Sequence, residues 1–244
     1  MITNISRRLT TGALAIASSV AAFGFAGAAP AQAQALCPLP LGQVFSTFRT
    51  TPCRVGDKLF TFINASPASG PINDGVLLID QLISSMVDRH TFNYRPSPAL
   101  MQSSGTFVID YTIEIVNDPG TIENELLTKM FKDFSIGYDA TGAGNQGISA
   151  DKTVWSDSIN GMDLVGSSMA STALGASGNI VTVPSNLKKL FVRDTFSVSD
   201  PMGSLNSVTN DFTQTTKSID IPEPSAILGI LAVAGVGAFA RRKS

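Results

Sequence analysis

The sequence is poor in the residues from which most enzyme active sites are built. Its 244 residues include one histidine, one tryptophan and two cysteines, and only 15% of them are charged. It contains no Gly-x-Ser-x-Gly nucleophile elbow, no Gly-x-x-x-x-Gly-Lys phosphate loop and no dinucleotide-binding glycine motif. The cysteines do not form a Cys-x-x-Cys pair, and the histidine has no companion ligand close to it in the sequence. We therefore predict a non-catalytic protein that needs no cofactor and no metal.

Five residues are candidates for a catalytic, sugar-binding or calcium-binding role. His90 lies in MVDRHTFNYRP, which predicts a surface or turn histidine rather than a catalytic base. Trp155 predicts core packing, with a stacking platform for a sugar ring as the alternative. Asp139, Asp151 and Asp157 flank a Gly-rich piece that could fold over calcium, although the spacing fits no known calcium loop and turn chemistry explains the same residues.

Positive charge is concentrated in the two ends of the sequence. Five of the 17 lysines and arginines lie before residue 36 or after residue 221, whereas only one of the 19 acidic residues does. The region between the ends is therefore mildly acidic. Nucleic acid is not an expected partner, because binding it depends on clustered Lys and Arg that neutralise phosphates.

Residues 1–35 have the layout of a secretory signal peptide. Arg7 and Arg8 precede an uncharged, alanine-rich stretch over residues 9–29, and the small residues of APAQAQA follow it. Cleavage by a signal peptidase is expected after Ala33 or Ala35. The region that follows, residues 36–221, is long enough for one sizeable domain.

A three-part segment occupies residues 222–244. Its middle part, residues 226–240, is apolar or small throughout and carries no charge. A helix through it would be about 22 Å long, which spans a membrane if the bilayer thins locally. The basic residues after it would remain cytoplasmic and the domain before it would lie outside. The flanking residues are Pro222, Glu223 and Pro224 before the predicted transmembrane helix and Arg241, Arg242 and Lys243 after it.

This order of Pro-Glu-Pro, apolar helix and basic cluster, combined with an export signal, resembles the sorting signal of PEP-CTERM proteins. The resemblance implies that an exosortase-type membrane protease cuts the exported protein near the Pro-Glu-Pro and releases it or transfers it to the cell surface. The signal peptide predicts signal peptidase as a partner and the apolar helix predicts the membrane, and the resemblance adds the exosortase and an exopolysaccharide layer. It covers only residues 222–244, and it concerns routing rather than activity.

Cys37 and Cys53 follow directly after the predicted signal cleavage site. In an oxidising compartment, an even number of cysteines at short spacing predicts a disulfide. Closing a loop of this size stabilises a domain by about 3 kcal/mol in the chain-entropy model. The predicted Cys37–Cys53 disulfide would also hold the new N-terminus in place.

Hydrophobic periodicity between the two ends favours strands. TFVIDYTIEIV alternates strictly, with apolar residues at 107, 109, 111, 113 and 115, which predicts a half-buried strand with one face in water. TIENELLTKMFKDF predicts one short helix, with a strand pair as the alternative. Short strands separated by Gly and Pro turns predict an all-β fold, a single antiparallel β-sandwich domain. Weaker strands are predicted in QVFSTFR, KLFTFIN, GVLLIDQLI, NIVTVP, KLFVRDTFSV and DFTQTTKSIDI.

The segments CRVGDKLFTF and LKKLFVRDTFSV resemble a recurring type of PEP-CTERM protein, in which a Gly-Asp-Lys-x-Phe strand opens the exported domain. The resemblance implies one β-rich exported domain, and it implies no activity and no site. The matching residues are Gly56, Asp57, Lys58, Phe60, Arg193 and Asp194.

These observations predict an exported, non-catalytic protein of the cell surface or extracellular matrix. One alternative is a carbohydrate-binding module at the same location, which would need aromatic side chains on an exposed sheet face. The other is a secreted hydrolase whose scattered carboxylates converge only in the fold.

Overall fold

The computed structural model describes residues 35–37, 42–67, 71–83, 88–97, 105–121, 124–141, 147–172, 176–199 and 204–216. Within these ranges the chain forms twelve strands, two single turns of α-helix and one 3₁₀ turn over Pro71–Asp74. The strands are β1 (Gln43–Val44), β2 (Cys53–Val55), β3 (Lys58–Ser66), β4 (Val76–Ile83), β5 (Asp88–Arg95), β6 (Gly105–Ile115), β7 (Lys129–Thr141), β8 (Ile148–Trp155), β9 (Leu164–Ser171), β10 (Val181–Thr182), β11 (Lys189–Val198) and β12 (Ser204–Thr216), and the helical turns are α1 (Phe45–Phe48) and α2 (Glu125–Thr128).

The strands form two six-stranded sheets in which all neighbours are antiparallel. Sheet 1 has the order β1-β4-β5-β12-β7-β10, and sheet 2 has the order β2-β3-β6-β11-β8-β9. Between consecutive strands the chain changes sheet eight times, after β1, β3, β5, β6, β7, β9, β10 and β11. Residues that are far apart in the sequence therefore face each other between the sheets.

The apolar faces of the two sheets pack on each other and form the core. Phe92 of sheet 1 stacks on Tyr111 of sheet 2 with ring centroids 4.2 Å apart, and Phe60 and Phe212 are fully buried beside them. Burying one such side chain contributes roughly 1.5–3 kcal/mol. The prediction of an all-β, antiparallel fold is confirmed.

The strictly alternating segment is β6, and its apolar positions from Phe107 to Ile115 are buried as predicted. The prediction that its other face is in water is wrong at Asp110 and Thr112, which are both buried. Arg193 of β11 lies opposite Asp110 and donates two hydrogen bonds to its carboxylate, each 2.8 Å long. A bidentate pair of this kind covers the carboxylate and satisfies both of its oxygens.

Most of the weaker strand predictions are confirmed, but QVFSTFR is not a continuous strand. Only Gln43 and Val44 are extended, and Phe45–Phe48 forms α1. Phe45 and Phe48 are both fully buried. Residues three apart lie on the same side of a helix but on opposite faces of a strand, so a helical turn directs both rings into the core.

Several strands were missed by the sequence prediction. The expected helix in TIENELLTKMFKDF is limited to the single turn α2, and β7 begins at Lys129. No strand was predicted at β5, β8 or β9. The inner faces of β5 and β8 carry His90 and Lys152, and these polar residues interrupt the apolar alternation that identifies a half-buried strand.

The predicted disulfide between Cys37 and Cys53 is present, with Cα atoms 4.8 Å apart. Two backbone hydrogen bonds support it, from Cys37 N–H to Arg54 O and from Arg54 N–H to Ala35 O. The segment 35–37 is therefore attached to β2.

The predicted signal peptide before Ala35 and the predicted sorting segment 222–244, including the apolar residues 226–240, lie outside the described residues. Among the residues that are described, none of the helices has the length and apolar character needed to cross a membrane.

Candidate functional site

Six polar side chains meet between the two sheets at one end of the molecule. Three of them, Lys58, Asp88 and Lys129, are the first residues of β3, β5 and β7, which begin at the same end. We call this group the inter-sheet cluster. Its members are Asp57 and Lys58 on the side of sheet 2 and Asp88, His90, Lys129 and Gln214 in sheet 1.

The β2–β3 hairpin places the first two members of the cluster. Val55 pairs with Lys58, so Gly56 and Asp57 form a two-residue loop. Gly56 has φ +55°, which favours glycine at the first central position of such a turn. A Cβ atom at Gly56 would also overlap Oε1 of Gln81. The Gly-Asp-Lys sequence therefore supplies a turn residue and two charged residues that the turn directs between the sheets.

The carboxylate of Asp57 is the centre of the cluster and is almost fully buried. Lys58 Nζ lies 2.7 Å from its Oδ1, and His90 Nε2 lies 3.2 Å from the same oxygen. Lys129 Nζ lies 3.2 Å from its Oδ2, and Gln214 Nε2 donates to that oxygen at 3.1 Å. Each oxygen therefore has two partners.

Asp88 is held in a similar way. Gln81 Nε2 donates to its Oδ1 at 3.2 Å, and His90 Nε2 lies 3.2 Å from the same oxygen. Gln214 Nε2 contacts its Oδ2, and Lys129 Nζ lies 3.5 Å from that oxygen. His90 Nε2 thus lies between two carboxylates, although neither of its two contacts has the in-line geometry of a hydrogen bond.

These contacts determine the charges of the cluster. Burial alone would raise the pKa of Asp57, but His90 and Lys58 outweigh it and hold the pKa well below its usual range. The pKa of Asp88 is lowered in the same way, against its burial, by His90, Gln81 and Gln214. Both groups are therefore ionised, a state that does not suit a general acid. Burial lowers the pKa of Lys58 to about 8, against the opposing effect of Asp57.

The cluster borders an open cleft of about 510 Å³. Asp57 and Lys129 form the part of its wall that belongs to the cluster, and Asp118 and Glu125 lie on another part. Asp118 pairs with Arg54 at 3.0 Å, and Glu125 accepts a hydrogen bond from Thr121 at 2.5 Å. The acidic groups of the wall are thus already engaged within the protein.

Asp57, Asp88 and His90 offer ligand atoms within 4.8 Å of one another, and among the described residues this is the one group of three or more that could hold a metal ion. The two lysines of the cluster bind oxygens of the same carboxylates. A divalent cation would have to displace one amine and would face the positive charge of the other. The donor set is therefore better matched to an ion-pair network than to a metal.

A second polar group lies deeper between the sheets, and we call it the core cluster. Lys152 of β8 and Asp194 of β11 are direct cross-strand neighbours, with Tyr111 of β6 and Asn210 of β12 beside them. The Lys152 amine donates to the Ser135 carbonyl at 2.9 Å and lies 3.9 Å from the ring centroid of Phe212. Neither oxygen of Asp194 accepts a well-aligned hydrogen bond.

Burial dominates the electrostatics of the core cluster. It lowers the pKa of Lys152 to about 7, against the attraction of Asp194 and Asp211. It raises the pKa of Asp194 to about 7, against the attraction of Lys152. Burial also raises the pKa of the Tyr111 hydroxyl well above its usual value.

The structure corrects the interpretation of His90. The sequence predicted a surface or turn histidine without companion ligands, whereas His90 is fully buried on β5 between Asp57 and Asp88. Asp88 and His90 are two residues apart on β5, but Asp57 precedes Asp88 by 31 residues, so spacing alone could not group the three. The Gly-Asp-Lys motif was the one available indication, because it marked Asp57 and Lys58.

The other residues singled out from the sequence do not converge. Trp155 is buried, with 8% of its surface exposed, so its ring is not available for a sugar to stack on. Asp139 accepts a hydrogen bond from Asn206, Asp151 lies in β8, and Asp157 accepts the Met162 N–H within the loop after β8. The sorting residues Pro222, Glu223, Pro224, Arg241, Arg242 and Lys243 lie outside the described residues.

Aromatic side chains do not form an exposed platform in the part of the chain that the structure describes. The large apolar residues exposed there are Leu, Ile, Val and Met. Phe62, Tyr138 and Phe191 are partly exposed. Neither a protein-family model nor a curated protein sequence matches the chain.

Proposed function

We propose that the chain is an exported, non-catalytic protein of the cell surface or extracellular matrix, which is sorted through residues 222–244 and cut there by an exosortase-type protease. In this proposal residues 1–35 are the signal peptide, and residues 36–221 form a single β-sandwich domain. The helix 226–240 anchors the protein until it is cut. The observation that carries the proposal is the ordered Pro-Glu-Pro, apolar segment and basic cluster.

The described residues add two supporting features. The Cys37–Cys53 disulfide suits an oxidising compartment, where such bonds persist. The charged groups of the inter-sheet cluster and of the cleft are paired with one another, which fits a structural role better than turnover of a substrate.

Processing of the native protein tests the proposal. The host is made to express the protein alongside a variant in which Pro222, Glu223 and Pro224 are alanines. A Ser225→Ala variant is the matched control, since it changes a neighbouring residue and leaves the motif intact. Intact masses are then measured in the membrane, surface and medium fractions.

We expect wild type and the Ser225→Ala control to yield a mature species that begins near residue 35 and ends near residue 223 in the surface or medium fraction. The triple variant should remain in the membrane fraction with its C-terminal segment attached. Wild-type protein that keeps residues 224–244 in the membrane would contradict the cleavage step. Wild-type protein that keeps residues 1–35 in the cytoplasmic fraction would contradict export.

A further inference from the structure

Lys58 and Gln214 are in direct contact between the two sheets, and both are buried. Lys58 Nζ approaches the carboxamide oxygen Oε1 of Gln214, which is 156 residues away in the sequence. The carbonyl carbon Cδ is bonded to that oxygen at a distance of about 1.2 Å. An amine and a carboxamide are thus held together by the fold before any chemistry takes place, which is the condition under which intramolecular reactions become fast.

Asp57 lies against both reacting nitrogens. Its Oδ1 is 2.7 Å from Lys58 Nζ, and its Oδ2 is 3.1 Å from Gln214 Nε2. The ionised carboxylate therefore contacts both nitrogens and can pass a proton directly from the attacking nitrogen to the leaving one. Both distances lie within the range for a general base.

The surroundings favour a nucleophilic amine. Lys58 is fully buried, and its Nζ lies 5.8 Å from the ring centroid of Phe131. Burial lowers the pKa of Lys58 to about 8. About a tenth of the amine is then uncharged at pH 7, compared with well under a thousandth for an ordinary lysine. A desolvated lysine of this kind is an activated nucleophile.

We propose that Lys58 and Gln214 form a spontaneous intramolecular amide bond that joins β3 of sheet 2 covalently to β12 of sheet 1. The Lys58 ammonium loses a proton to water, and the free amine attacks Cδ of Gln214 while Asp57 passes a proton from the attacking nitrogen to Nε2. The Nζ–Cδ bond forms and the Cδ–Nε2 bond breaks. Nitrogen leaves as ammonia, which takes up that proton from water and becomes ammonium, so the reaction needs no oxidant, no cofactor and no other reactant.

The cross-link closes a loop far longer than the Cys37–Cys53 disulfide does. Restricting a long loop removes conformational freedom from the unfolded chain. It also survives reducing conditions, which the disulfide does not. The inference does not depend on the proposed sorting, because Asp57, Lys58 and Gln214 lie outside the two predicted targeting segments.

Tryptic digestion of the full, denatured and reduced protein tests the cross-link directly. Trypsin does not cleave after an acylated lysine. A linked chain therefore yields one branched peptide made of residues 55–89 and 194–217, lighter than the two free peptides together by the mass of one ammonia molecule. Lys152, which is equally buried, is the internal control, and cleavage after it shows that the digestion is complete.

The expected result is the branched peptide, with fragment ions that place the bond between Lys58 and Gln214. Recovery of free peptides 59–89 and 194–217 from folded wild-type protein would overturn the proposal. This readout does not depend on where the termini are cut, so it fails or succeeds separately from the proposed sorting.

Three variants assign the roles of the residues. Lys58→Arg keeps the positive charge but offers no amine, and Gln214→Met keeps the length of the side chain but offers no carboxamide. Both should lack the branched peptide. Asp57→Asn should lack it as well, because an amide cannot relay the proton, and a branched peptide in that variant would overturn the role of Asp57. Circular dichroism and the intact disulfide show whether each variant is folded.

Discussion

The core cluster predicts an unusual dependence of stability on pH. Asp194 has a folded-state pKa near 7, above its ordinary value of 3.8, so the folded protein holds a proton that the unfolded chain loses between these values. The contribution of Asp194 to stability is therefore fully present below pH 3.8 and is lost as the pH rises through 7. Lys152 has a folded-state pKa near 7, below its ordinary value of 10.5. Its contribution is present above pH 10.5 and is lost as the pH falls through 7.

The two effects add to a minimum of stability near neutral pH. Each pH unit between the two pKa values of one group changes the free energy of unfolding by about 1.4 kcal/mol. The titration of Asp194 should therefore lower the free energy of unfolding by about 2 to 3 kcal/mol between pH 5 and pH 7. The titration of Lys152 should raise it by a similar amount between pH 7 and pH 9. Asp57 and Asp88 do not obscure this window, because their pKa values are lowered and their linkage lies in the acid range. Lys58, with a pKa of about 8, titrates within the window, and only a comparison with a variant that retains Lys58 isolates the contributions of Asp194 and Lys152.

The test compares wild type with the double variant Lys152→Met, Asp194→Asn, which removes both titrations and changes side-chain volume little. Denaturant unfolding at pH 5, 7 and 9 gives the free energy of unfolding of each protein. The wild-type value minus the variant value should be lowest at pH 7. Asp110, Asp211 and Tyr111 are the neighbouring titratable groups, and they are unchanged in both proteins. Parallel profiles would refute the reasoning, because they would mean that Lys152 and Asp194 stay charged throughout.

Two further changes test the attachment of the N-terminal segment and the turn that builds the inter-sheet cluster. Replacing Cys37 and Cys53 by serine should lower the free energy of unfolding by about 3 kcal/mol, measured by denaturant unfolding, and equal stability would contradict the role of the disulfide. Gly56→Ala should cost about 1–3 kcal/mol, because φ is +55° and the new Cβ would overlap Gln81. The control Gly120→Ala, at a position without positive φ, should cost less in the same assay.

The fold class could be predicted from the sequence because apolar and polar residues alternate clearly along the strands whose inner faces are apolar. In β6 and β11 every inner position except Asp194 is apolar or aromatic, and both strands were predicted. In β8 the inner position between Ala150 and Val154 is Lys152, and no strand was predicted there. Because polar residues occupy inner positions of such strands, hydrophobic periodicity did not identify them.

The same residues explain why the candidate site could not be predicted. Asp57, Asp88 and Gln214 belong to a turn and two strands that meet only because the chain changes sheet several times. Nothing in their spacing indicates this meeting. The disulfide was predictable because its two cysteines are close in the sequence and have no competing partners.

The polar residues of β12 also constrain how its sheet is assembled. Asn210, Phe212 and Gln214 face the core, whereas Asp211 and Thr213 lie on the other face. Because side chains alternate along a strand, a slip of one residue would turn Asp211 into the core and Gln214 out of it. An ionised carboxylate without a partner between the sheets costs several kcal/mol. Gln214 would also lose the contacts by which its amide group bridges Asp57 and Asp88, so that two carboxylates would face each other with one donor fewer. The buried polar groups therefore penalise the wrong register more strongly than an all-apolar strand would, since an apolar inner face loses only hydrophobic contact when it slips.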